Sequence, residues 1–265
     1  MDIVTNFLGY INKKEIAKYL CLIISGFSII SIQKNNLIVT REFQKKDNAE
    51  LGKIEKKDLK LLKIIPSFGF DNLIANVIFL DHIQYFGDNL ARDKFGYQLT
   101  PDYFEAIVNH DPRFVEAYLH LAPASTLFAG QPQKTVEIIS EGLKSLTPQV
   151  DKSYLIWTYK GIDELLFLGD IKAAQNSYAT GAEWASYHTD ERSQIIGNRA
   201  KETSEFLASN PDSKKAQASS WMMLFTNSKD RQVRNMALQR IKSLGGKVEI
   251  TENKLTVTMP EDNQG

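Results

Sequence analysis

The sequence predicts an all-α protein: an array of antiparallel helical hairpins behind one N-terminal membrane helix, closed by a small C-terminal β-hairpin. Three observations predict it. Residues Tyr118 to Gly181 hold the same spacing twice, 39 residues apart: Tyr118 recurs as Trp157, Ala122 as Gly161, Leu127-Phe128 as Leu166-Phe167, Gly130 as Gly169, Thr135 as Ala174, Ile139 as Tyr178 and Gly142 as Gly181. Such a repeat marks stacked supersecondary units, none of which can bury its apolar face alone. Tyr19 to Ile32, YLCLIISGFSIISI, runs for 14 residues without a charge. Near the C-terminus Val248, Ile250, Leu255 and Val257 alternate with polar residues around Glu252-Asn253, the period of two that belongs to strands.

From the N-terminus, residues 1–15 read as a tail and residues 16–39 as the membrane anchor. Fourteen helical residues span about 21 Å against a hydrocarbon core of about 30 Å. Ile16, Ala17 and the stems of Lys18 and Lys34 therefore have to extend the span. The following IISIQKNNL offers no pair of small residues for a signal peptidase, so the anchor is expected to be retained. Lys13, Lys14 and Lys18 favour a cytoplasmic N-terminus and a lumenal or periplasmic body, against the opposing pull of Lys34, Arg41, Lys45 and Lys46. Cys21 is the only cysteine, so no disulfide within the chain reveals its redox compartment; inside the apolar run it reads as a small hydrophobe.

Residues 40–65 are crowded with charge of both signs and read as a solvated stalk. Residues 1 to 60 hold 11 Lys+Arg against 7 Asp+Glu, leaving 21 against 25 for the rest. A mildly acidic body argues against a nucleic-acid partner, which needs a basic stripe.

Residues 66–246 form the helical domain. PSFGFDNLIANVIFLDHIQYFGD predicts a helix from Asp71 to Phe86, with Phe68, Phe70, Leu73, Ile74, Val77, Ile78, Leu80, Ile83 and Phe86 along one broad apolar stripe. Gly87 to Pro101 reads as a connection, and Asp102 to Asn109 as a second helix with Phe104 and Ile107 inward. In each repeat unit that follows, an aromatic residue is trailed four residues later by a small one. A glycine-containing turn and a second segment of small, bulky and small residues come next, the pattern of two helices in close approach. Gly130 and Gly169 suit the helix ends, while Pro132 and Asp170 suit the starts of the returning helices.

The segment WTYKGIDELLFLGDIKAAQNSYATGA resembles a tetratricopeptide repeat (TPR): Trp157, Gly161, Leu168-Gly169, Ala174, Tyr178 and Gly181 stand at the family's signature places. The first unit is similar through Tyr118, Leu121, Gly130, Ile139, Leu143 and Pro148. Each first helix carries one residue more than the family pattern, the period exceeds the usual ~34 residues, and Pro123 reads as a kink that accommodates the extra residue. From Pro66 on, the chain also resembles a group of uncharacterised cyanobacterial proteins with an N-terminal anchor, the SFGFDN to QYFGD block, a TPR-like middle and a small strand pair. That resemblance implies a photosynthetic membrane and, by analogy alone, assistance to assembly of its complexes.

After Gly181 the array is expected to continue through helices in ERSQIIGNRAKETSEFLASNP, KKAQASSWMMLFTN and DRQVRNMALQRIKSLGG, with Gly245-Gly246 as the stop. Residues 247–259 are the hairpin and 260–265 a tail.

His82, His110, His120 and His188 are scattered, and HExxH, CxxC and phosphate-cradling glycine motifs do not occur, so no metal and no cofactor is expected. Asp163 and Glu164 interrupt an otherwise apolar helix, and Glu164 stands four residues after Lys160, where the two can pair. Lys160, Asp163 and Glu164 are therefore expected at a partner-binding groove whose carboxylates hold a basic peptide segment. The expected function is non-catalytic: a membrane-tethered scaffold that captures a protein partner, with the anchor raising effective concentration. The alternatives are a hydrolase built on the helical scaffold and a permanent small subunit of a membrane complex.

Overall fold

The computed structural model of the chain describes residues 18–28, 30–31, 59, 66–251 and 254–258. It is mostly helical and divides into two compact units, Met1–Glu55 and Lys56–Gly265. In the first, residues 18–28 are helical, with Tyr19, Leu20, Leu22, Ile23, Ile24 and Phe27 exposed. Among the described residues no helix is long and apolar enough to cross a membrane. The expected tails at 1–15 and 260–265, and the expected stalk at 40–65 apart from Leu59, lie outside the described residues.

The second unit opens with α1 (Asp71–Gly87), α2 (Asn89–Phe95) and α3 (Thr100–His110). The stretch expected as a connection therefore contains a helix. Asp88 caps α2 by accepting from the Ala91 amide at 3.1 Å, and Gly96, at φ 66°, ends it. Seven residues, NLARDKF, are too few to show an apolar period. α1 packs on α3 through Ala75, Ile78, His82 and Tyr85, in a core shared with Leu59, Phe104 and Ile107.

Two hairpins follow. α4 (Val115–Pro123) runs into a π-helical turn, Ala124–Phe128, and returns as α5 (Pro132–Leu143). α6 (Ser153–Asp163) runs into a second π turn, Glu164–Leu168, and returns as α7 (Ile171–Ala185). A π turn closes i to i−5, one residue wider than an α turn, as where the Ala129 amide donates to the Ala124 carbonyl at 3.2 Å. The extra residue counted in each first helix is taken up here. Pro123, which has no N–H to give to an α-helical ladder, stands directly before the first of these turns. Gly130 and Gly169 then reverse the chain at φ 68° and 72°, and Asp170 caps α7 by accepting from the Ala173 amide at 2.9 Å.

The two units also repeat in their contacts. A methyl group at Gly142 would sit 1.8 Å from the Tyr118 hydroxyl, and one at Gly181 would sit 3.3 Å from Trp157 Cβ. Each aromatic of the first helix thus lies on a glycine of the returning helix, with no room for a methyl at Gly142 and a tight fit for one at Gly181. Tyr118 is fully buried and donates to the Pro112 carbonyl at 2.9 Å.

α8 (Glu191–Leu207) packs on α7, and α9 (Lys214–Asn227) packs on α10 (Arg231–Ser243). This last pair does more than lengthen the array. α9 rests against both π turns, where Leu127, Leu166 and Phe167 meet Trp221, Leu224, Phe225, Val233 and Ile241 in one cluster. At the start of α10, Asp230 accepts from Gln98 Nε2 at 3.0 Å, and Lys229 pairs with Asp93 at 2.5 Å. The apolar side chains gathered at the turn end of both hairpins need cover, and the last two helices supply it. Strands β1 (Lys247–Thr251) and β2 (Lys254–Thr258) pair antiparallel, with Val248 opposite Val257 and Ile250 opposite Leu255, and β1 touches α10.

Candidate functional site

Two places carry chemistry beyond ordinary packing: a buried polar layer at the π turns and the outer face of α1.

The first contains all three residues expected at a groove. Asp163 and Glu164 are 5% and 3% exposed, so neither carboxylate lies on a surface a partner could reach. Sequence neighbours on an α-helix point about 100° apart, which suggested that at least one would be solvated. Here the two directions lead into two interior layers. Glu164 turns into its own hairpin, pairs with Lys160 and accepts from Ser177 Oγ at 2.6 Å. Lys160 also donates to Ser177 at 3.2 Å and lies 5.6 Å from the Trp157 ring. The i, i+4 pairing read from the sequence is present, but inside the protein.

Asp163 turns the other way, toward the preceding hairpin, where its Oδ2 lies 2.7 Å from Thr126 Oγ1. Thr126 lies 3.2 Å from Thr135 Oγ1, and Thr135 donates to the Gln131 carbonyl at 2.9 Å. That carbonyl can only accept, so the Thr135 proton is committed to it. The Thr126 proton then serves either Thr135 or Asp163. Every link is filled only when Asp163 carries a proton and donates to Thr126. Burial pushes the Asp163 carboxyl up to about 8, with the Glu164 charge adding to the rise and Thr126 opposing it. Burial thus favours the protonated carboxyl, the form that can donate to Thr126. Tyr178, raised to about 12 chiefly by burial and then by Asp163, stays a phenol.

The histidines are less scattered than their numbers suggest. His82 and His120 have ring centroids 5.5 Å apart, ringed by Phe79, Phe86 and Tyr103. His82 is fully buried, lies 3.3 Å from Thr100 Oγ1 and is held neutral, down at about 3, by burial first and by His120 and Arg92 after it. The pair behaves as part of an aromatic core. Among the described residues no group of three or more His, Cys, Asp or Glu could hold a metal ion. An open groove of about 420 Å³ runs between α7 and α8 past Ala182, Ser193, Gln194, Gly197 and Lys201.

The outer face of α1 differs in kind. The broad stripe read from the sequence splits in two. Ala75, Ile78, His82 and Tyr85 face the core, while Phe70, Leu73, Val77 and Leu80 are 55–62% exposed. Their 3-4-3 spacing makes one straight seam. Just before it, Phe68 is 86% exposed at φ 49°, followed by Gly69 at φ 89°. The Phe70 amide closes this tight turn on the Ser67 carbonyl at 2.8 Å. A bulky residue in the left-handed region is strained, by about 1–3 kcal/mol, and here the strain holds a phenyl ring in solvent. Periodicity could not reveal this face, because both sides of α1 are apolar.

Compared with known proteins, the chain matches no family model, no curated protein and no solved structure.

Proposed function

We propose that the chain is a non-catalytic scaffold for a protein partner, a TPR-like helical body tethered at a membrane by its N-terminal apolar helix. The observation that carries the reading is the outer face of α1, where four large apolar side chains and Phe68 stay in solvent on a helix whose other face is already buried. Burying one such side chain is worth about 1.5–3 kcal/mol, so an added surface has much to gain there. The paired contacts of Tyr118 with Gly142 and Trp157 with Gly181 support a repeat scaffold. The apolar side chains displayed by the helical residues 18–28 support a tether. The groups best suited to acid–base work, Asp163, Glu164 and His82, are enclosed and engaged with neighbours inside the fold, which favours binding over catalysis. By analogy with the cyanobacterial proteins it resembles, the partner is a complex of a photosynthetic membrane and the protein an assembly or stability factor for it.

The test is affinity isolation of the full-length chain from its own membranes in mild detergent, with mass spectrometry and a salt wash. One membrane complex recovered at a defined ratio and released by salt is the expected result. A salt-resistant fixed ratio assigns a permanent subunit instead, and the absence of any defined complex overturns the scaffold reading.

A further inference from the structure

We propose that the seam of Phe68, Phe70, Leu73, Val77 and Leu80 on α1 is the docking site for a partner's amphipathic helix whose apolar stripe is flanked by lysine or arginine. The inference rests on the scaffold reading and names the surface and the partner's chemistry.

The seam is a helix-sized object. Phe70 to Leu80 covers three turns, about 15 Å of α1, in one line that fits the i, i+3, i+7 anchors of a second helix. Charge selects the kind of helix. Residues 66–91 contain three aspartates, Asp71, Asp81 and Asp88, and no lysine or arginine. Asp71 lies on the side of α1 that faces α3, 3.6 Å from His110 Nδ1, so the border of the seam is formed by Asp81 and Asp88. Asp81 and Asp88 are both exposed, accepting from the Tyr103 hydroxyl and the Ala91 amide. The other border carries Asn72, Asn76 and the exposed Ile83, while Gln84 continues the line of the seam.

An anionic bilayer surface fits poorly, because helices that lie on lipid carry basic residues along their flanks. A second copy of α1 would bring three more aspartates and no cation. A basic-flanked helix satisfies both the seam and its acidic border. Phe68, held out by a strained turn at the N-terminal end of the seam, has the position of an aromatic anchor.

The test uses the purified full-length chain and 18-residue photo-crosslinking helical peptides: one of leucine with lysine flanks, one of leucine with glutamate flanks, and a scrambled form of the first. The lysine-flanked peptide is expected to bind saturably and crosslink within residues 66–91. The other two should bind at least about tenfold more weakly, and Leu73→Glu, Val77→Glu and Asp81→Lys should each lose about tenfold or more. Leu73 and Val77 are exposed, so circular dichroism and the melting temperature of those two variants should stay at wild-type values. Asp81→Lys, which also removes the acceptor of the Tyr103 hydroxyl, is compared with Asp81→Asn, which keeps one. Phe68→Asn separates recognition from folding: it should weaken binding while raising the melting temperature, because Asn tolerates the left-handed backbone.

Equal binding of the glutamate or scrambled peptide, crosslinks outside residues 66–91, or no binding of any peptide overturns the proposal. So does α1-to-α1 crosslinking between copies, which assigns the seam to a second copy, and so does an uncrosslinked chain in which residues 1–65 already protect the seam from labelling. A Leu73→Glu chain that still recovers its membrane complex moves the docking site elsewhere and leaves the scaffold reading standing. If the wild-type chain recovers no complex, that reading falls too.

Discussion

Replacing Asp163 with Asn tests the buried layer most sharply, because it is expected to stabilise the protein by an amount that depends on pH. The folded carboxyl titrates at about 8 against an ordinary 3.8. A group whose folded value is raised contributes stability in full below its unfolded value and loses it as pH rises to the folded value. Each pH unit in that window shifts the balance by about 1.4 kcal/mol, so at pH 7 the wild type has lost up to about 4 kcal/mol relative to a side chain that never ionises. Asn has nearly the same shape, and its amide can donate to Thr126 as the protonated acid does. The two proteins should match near pH 4, diverge with the variant the more stable, and run parallel above pH 8. Urea unfolding of both full-length chains from pH 4 to pH 8, followed by tryptophan fluorescence, gives the difference directly. Groups titrating in both proteins, such as Asp71 and Asp190, held low by hydrogen bonds to Ser67 and Ser193, cancel in that difference. A difference flat across the range, or a variant less stable at pH 8, would show Asp163 ionised in the folded protein and refute the donor chain.

Two further outcomes follow from the same interior. Gly142→Ala places a methyl 1.8 Å from the Tyr118 hydroxyl and should cost about 1–3 kcal/mol by overpacking, partly recovered when Tyr118→Phe removes that oxygen. Gly181→Ala meets atoms at 3.3 Å and beyond, and helix propensity should offset the crowding to within about 1 kcal/mol in thermal unfolding. Lys160→Met takes the cation from the buried Glu164, at a cost of about 3–5 kcal/mol. Adding Glu164→Gln should restore most of it, and a urea double-mutant cycle in which the two costs merely add would show the pair to be uncoupled.

How much of this was legible in the sequence depended on whether the information was local. Helix α9, Lys214–Asn227, matches the segment KKAQASSWMMLFTN read as a helix from the sequence, and Asp170 was readable as a cap because a cap needs only its own backbone neighbours. The one-residue excess in each first helix was countable. Its form was not, since a kink at Pro123 and a π turn absorb an extra residue equally well on paper. The second unit decides between them, because its first helix, SYLIWTYKGID, has no proline and makes the same turn. Asp163 and Glu164 were singled out as charges in an apolar helix. Their burial depended on Thr126, 37 residues earlier, and Ser177, 13 residues later. His82 and His120 likewise meet from different helices, and Asp230 reaches Gln98 across 132 residues.

α1 and the π-turn layer depart from the ordinary division of residues in opposite ways, and the difference assigns them different work. Charged groups lie inside at Asp163 and Glu164, with Lys160 half-buried beside them, while large apolar groups lie outside at Phe68, Phe70, Leu73, Val77 and Leu80. Inside, Lys160, Ser177 and Thr126 occupy the bonding positions around the two carboxylates. A completed buried network fixes which helices neighbour one another and asks nothing of a partner. Outside, the account is open. A helix apolar on both sides belongs in an interior, and this domain provides an interior for one side of α1 only. Substitutions at the π turns should therefore move stability with recognition intact, and substitutions along the seam should move recognition with stability intact. Phe68, where a strained backbone serves an exposed ring, is the position where the two should move in opposite directions.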